Sequence, residues 1–76
     1  MVGNYIKLEE KLLSYAKLDS IEAGLRFKTK SGLIVETTGV TQHVDQVDIL
    51  VHEVEISEGP GKGNKFLHNL DSAERL

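Results

Sequence analysis

Leu25-Arg26-Phe27-Lys28-Thr29-Lys30-Ser31-Gly32-Leu33-Ile34-Val35-Glu36-Thr37 is the run whose reading decides the fold. Residues 25–29 alternate apolar with charged side chains before ending on threonine, the pattern of a strand with one buried face. Lys30-Ser31-Gly32 suits a three-residue hairpin loop, a type I turn closed by a glycine in the left-handed conformation. Such a loop sets the register: Thr29 opposite Leu33, Phe27 opposite Val35, Leu25 opposite Thr37, all on one face. Arg26 then falls opposite Glu36 on the other face, a favourable cross-strand pair.

Downstream of this hairpin, Gly39 marks the end or a bend of the second strand, and the polar stretch Thr41 to Gln46 reads as a loop. A third strand is expected over roughly 47–57. Its apolar pattern changes face near His52, which implies either burial on both sides or a β-bulge there. Lys65-Phe66-Leu67-His68 reads as a short fourth strand. Asp71-Ser72-Ala73-Glu74 has capping-box spacing, which predicts a helical turn over 71–76, docked through Leu70, Ala73 and Leu76. Upstream, Tyr5, Leu8, Leu12 and Tyr15 lie on one face of a predicted amphipathic helix over 5–18, capped by Asn4. That stripe serves the domain's own core or docks a partner.

Composition bounds the class. The chain has 76 residues, enough for one domain, 1–76, with a small core. Its parts are an N-terminal helix in 1–19, a β-meander or barrel in 20–70 and a helical turn in 71–76. With no tryptophan, the core rests on Leu, Ile and Val, helped by Phe27, Phe66, Tyr5 and Tyr15. The absence of cysteine excludes disulfides, a thiolate nucleophile and thiolate metal sites, and favours a reducing compartment. No signal peptide or membrane-spanning stretch is recognisable, so a cytoplasmic location is expected. A net charge of −3 counts against non-specific nucleic-acid binding, which is driven by neutralising phosphates.

The order helix, β-meander, helical turn is α+β or mostly β: a small, strongly bent antiparallel barrel of SH3-like type with an N-terminal amphipathic helix. A plain antiparallel sheet crossed by one helix is the second reading. The glycine-rich segment Glu58-Gly59-Pro60-Gly61-Lys62-Gly63-Asn64 is not a phosphate loop. Lys62 precedes glycine rather than Ser or Thr, the glycines are spaced by two, and a strand follows where a nucleotide site needs a helix. Val54-Glu55-Ile56-Ser57-Glu58-Gly59-Pro60-Gly61-Lys62-Gly63 instead resembles the KOW motif of SH3-like barrels in ribosomal proteins and transcription elongation factors. The resemblance is confined to 54–63. It implies a strand–loop–strand unit and contact with RNA or with proteins of a nucleoprotein complex.

The candidate sites follow. The glycine-rich loop (Gly59, Pro60, Gly61, Lys62, Gly63, Asn64) and the polar Gln42-His43 loop are the expected contacts of a non-enzymatic module that binds a protein or peptide. The competing reading of the glycine segment is a flexible connection. Arg26, Lys28, Lys30, Lys62 and Lys65 form the alternative set, for RNA; the plainer reading is a solvated face, with Arg26 paired to Glu36. His43, His52 and His68 have no metal-ligand spacing, and no cofactor is implied. His52 reads as a core-facing histidine bonded to a backbone group, His43 and His68 as surface or strand-end residues. His43 beside Asp45 or Asp48 imitates an acid–base pair, but no nucleophile accompanies it. A homodimer through the N-terminal helix is a further expectation, since a small core gains from association.

Overall fold

A computed structural model of the chain describes residues 14–76. It is mostly β. Five antiparallel strands form one sheet: β1 (Arg26–Lys28), β2 (Ile34–Val44), β3 (Ile49–Ile56), β4 (Lys65–His68) and β5 (Glu74–Arg75). Their order is β4-β3-β2-β1-β5. The first four strands are a meander, and the chain then returns to place β5 beside β1.

The β1–β2 hairpin has the register its loop dictates. Arg26 faces Glu36, Phe27 faces Val35 and Lys28 faces Ile34. Thr29 N donates to Leu33 O at 2.9 Å, Gly32 N donates to Thr29 O at 2.9 Å, and Gly32 has φ 92°. Phe27, Val35, Thr29 and Thr37 are buried, with Leu25 and Leu33 half-buried beside them. Phe27 and Val35 join Val54, Ile56 and Leu70 in the core, and Tyr15, Ile21, Leu25, Leu33, Phe66 and Ala73 pack around it. Thr37 is buried at no cost in unpaired polar groups: its Oγ1 donates to Glu22 O and accepts from Leu25 N.

The bend expected at Gly39 is present, but the strand does not end there. β2 continues through it, and Thr41 to Val44 pair with β3 instead of forming a loop. Polar residues are tolerated in this strand because much of it faces water. The irregularity lies on β2, not on the third strand near His52. Thr37 faces Val54 and Thr41 faces His52, so Thr38, Gly39 and Val40 together oppose Glu53. Gly39 has φ 94°, a conformation that a Cβ would strain. Thr38 Oγ1 donates to Glu53 Oε1 at 2.7 Å across the bulge.

Two further expectations change at the ends. Most of the helix expected over 5–18 lies outside the described residues. At its C-terminal end the chain is not α-helical: Ser14 and Leu18 are extended and only Tyr15–Lys17 form a 3-10 turn. The helical turn expected over 71–76 is a 3-10 turn at Leu70–Ser72, capped by Asn69, whose side chain accepts from Asp71 N. Glu74 and Arg75 are strand, facing Lys28 and Phe27 of β1. Leu70 is fully buried and Ala73 packs on the core, whereas Leu76 is 54% exposed. Arg75 lies over the Phe27 ring, 5.8 Å from its centroid, a cation–π contact that helps a two-residue strand hold.

Candidate functional site

Asp71 does not cap the turn that follows it. Its carboxylate reaches across the chain and accepts from Ser14 Oγ at 2.7 Å, Tyr15 N at 2.7 Å and Ala16 N at 3.1 Å. It therefore caps the first 3-10 turn from a distance. Partial burial pushes its carboxyl up, but the three hydrogen bonds outweigh that and hold it below the usual carboxylate value. On the other side of the same turn, His52 Nε2 meets Tyr15 O at 2.9 Å, and Nδ1 meets Thr41 Oγ1 at 2.8 Å. A carbonyl only accepts, so Nε2 carries the proton and Nδ1 accepts from the threonine hydroxyl. His52 is fully buried and fully satisfied, as the sequence reading of a core-facing histidine required. The Tyr15 ring meets Phe27 edge-on, with centroids 5.4 Å apart. These contacts form a structural clasp around residues 14–16.

The glycine-rich segment is a hydrogen-bonded turn between β3 and β4. Ile56 N donates to Asn64 O, Gly63 N to Ile56 O, Lys62 N to Gly59 O and Asn64 N to Gly61 O, all within 2.8–3.1 Å. A Cβ on Gly61 would come within 3.3 Å of the Ile56 side chain. Gly59 to Asn64 are exposed, with Lys62 among them. Gln42 and His43 are also exposed, but on β2, facing Val51 and Leu50. They therefore lie at the opposite end of β3 from the glycine turn, about 20 Å away at ~3.3 Å per residue. The two expected contact regions lie at opposite ends of the sheet.

The basic set is likewise divided. Arg26, Glu36, Glu55 and Lys65 form one transverse row across β1, β2, β3 and β4. Two carboxylates thus separate the outer cations. Arg26 does not pair with Glu36; its Nη2 meets Glu58 Oε2 at 2.6 Å, at the foot of the glycine turn. Lys28 and Lys30 line a second recess of about 380 Å³, which they share with Asp71 and Glu74.

The feature that sequence reading missed is a cleft of about 420 Å³ on the outer face of β2, β3 and β4. The Ala23-Gly24 turn forms one wall, and Glu36, Thr38, Glu55, Ser57 and Lys65 form the floor and the other wall. Gly24 N donates to Thr37 O at 2.8 Å, which holds the turn over the strand. The register of β2 with β3 carried half of this signal, because it sets Glu36 beside Glu55. The overhang of Ala23-Gly24 lies beside Gly39 of the bulge and has no sequence signature. Among the described residues no group of His, Asp and Glu could hold a metal ion, and no helix is long and apolar enough to cross a membrane. Compared with protein-family models, with curated proteins and with solved structures, the chain matches none of them.

Proposed function

We propose that this chain is a non-enzymatic binding module, built as a small SH3-like barrel, that holds an extended segment of a protein partner in the cleft beneath Ala23-Gly24. The barrel reading is supported by the bulge that bends β2 and by the return of β5 to β1 around the core. The observation that carries the binding reading is the cleft itself. Its volume lies in the range of binding sites, and its floor pairs Glu36 with Glu55 on adjacent strands. Like charges placed opposite one another destabilise a sheet, and a basic side chain between them relieves the repulsion. A basic segment is therefore the favoured occupant, and the cell interior is the favoured location for a chain without cysteine.

A second reading is RNA or nucleoprotein contact through the KOW-like loop, with Lys62 exposed at its tip and Lys65 beside it. Glu36 and Glu55, lying between Arg26 and Lys65, weaken it. Both readings are tested by amide-shift mapping of the whole chain at low salt against a lysine-rich peptide, an acidic peptide and mixed-sequence RNA. The cleft reading expects shifts at Gly24, Thr38, Glu55 and Lys65 with the basic peptide alone, lost in the Glu36→Lys, Glu55→Lys double variant. Shifts centred on Lys28, Lys30 and Lys62 with RNA support the second reading instead. Silence at the cleft with every basic peptide tried removes the first.

A further inference from the structure

The turn between β2 and β3 holds a cluster that the binding reading does not use. His43 Nδ1 is 2.7 Å from Asp45 Oδ1, and His43 Nε2 is 2.8 Å from Asp48 Oδ1. A neutral imidazole has one N–H, so it can donate to only one of these carboxylates. Its other nitrogen would then set a lone pair against carboxylate oxygen. The observed arrangement is complete only when both nitrogens carry protons. The carboxylates sit at different ring nitrogens, on opposite edges of the imidazole, so they clamp the ring rather than converge with it on an ion. Asp48 is also the one non-glycine residue at positive φ among the described residues, at 52°. Aspartate tolerates that conformation better than most residues, but it is sparsely populated and is kept where other contacts hold it.

We propose that the β2–β3 turn is a pH-sensitive clamp, in which doubly protonated His43 grips Asp45 and Asp48 from its two sides and holds the turn in one conformation, and loss of a ring proton frees one carboxylate and loosens the turn. The surroundings leave the switch to these groups. Leu50 stands opposite His43 on β3, Ile49 stands opposite Val44, and neither is charged. Thr41, two residues back on β2, is engaged by His52, which is committed to Tyr15 O. Hydrogen bonds to Asp48 and then Asp45 raise His43 above its ordinary value of 6.5, and their negative charge acts the same way, against a smaller opposing effect of desolvation. The sign follows: the clamp's contribution is complete below the ordinary histidine value and is lost as pH rises through the elevated one. At the tip the turn presents Val47, 61% exposed, so the clamp controls how rigidly an apolar contact is offered.

The test is backbone 15N relaxation of the whole chain at about pH 5.5 and about pH 8.5, with the His43 ring followed by 15N shifts. Order parameters at residues 45–48 are expected near the ~0.85 of rigid backbone at the lower pH, falling toward 0.6 at the higher one. His43→Gln is expected to be loose at both. Asp45→Asn with Asp48→Asn is expected to return His43 toward an ordinary titration. His43 is exposed, so these variants keep the core intact. Equal order parameters at the two pH values overturn the clamp. So does an equal fall in His43→Gln, or a His43 ring that titrates no higher than in the double Asn variant.

Discussion

The ladder between β2 and β3 is two ladders joined at Gly39, and they are held by different physics. Below the bulge, Val35 faces Ile56 and Thr37 faces Val54, with Phe27 and Leu70 packed beneath. Above it, Thr41 to Val44 face His52 to Ile49, and the fixed contacts are polar: Thr41 with His52, His52 with Tyr15, His43 with two aspartates. The lower half draws on apolar burial, which is non-directional and strong. The upper half buries Val51 but adds a chain of hydrogen bonds, which contribute less in net terms than the lower core and specify one geometry. The main core and the densest polar contacts are therefore lodged in different parts of one hairpin.

That contrast can be broken most sharply from below. Phe27→Ala removes the largest buried side chain and the ring that meets Tyr15 and Arg75. A loss of about 3–5 kcal/mol is expected in urea unfolding, a large share of a small domain's stability. His52→Leu attacks the junction of the two halves. It keeps an apolar side chain in place but leaves Tyr15 O and Thr41 Oγ1 without the ring. About 2 kcal/mol is expected, with loss of amide protection in residues 14–18 exceeding that in β1. Uniform loss of protection across the sheet would show that the clasp has no local role.

Gly39→Ala tests the join itself. The added Cβ meets Ala23 at an ordinary 3.6 Å, so the cost is backbone strain at φ 94° and is expected near 1 kcal/mol. Because the Ala23-Gly24 overhang lies beside this bulge, the variant should also weaken cleft binding more than it weakens the fold. Asp71→Asn is of similar or smaller size, about 1 kcal/mol, since its hydrogen bonds are solvent-exposed. Its signature is a pH dependence. The folded carboxyl titrates below its ordinary 3.8, so the contribution is present above that value and is lost as pH falls through the depressed one. Acid unfolding of Asp71→Asn should lack that component; an unchanged acid profile would dismiss the clasp as a source of stability.

What could be read without coordinates was local. The 25–37 hairpin followed from alternation, a turn glycine and strand pleat, each acting over a few residues. The Lys65–His68 strand and the inward His52 came from the same two-residue period. Polar Gln42 and His43 carry a loop pattern although they are strand, because their strand half lies open to water and pattern and burial part company there.

The amino-acid order alone determined the hairpin register, a core resting on Leu, Ile and Val with Phe27 on the buried face of the hairpin, and the failure of the glycine segment as a phosphate loop, because backbone sterics and side-chain alternation act along the chain. Only the tertiary structure decided that Asp71 caps residues 14–16, that Arg26 turns to Glu58, that Glu74 and Arg75 become a strand, and that a cleft opens under Ala23-Gly24. Those outcomes join groups as far as 57 positions apart. Such partners are brought together by the closed core, and no spacing rule written along the chain reaches that far.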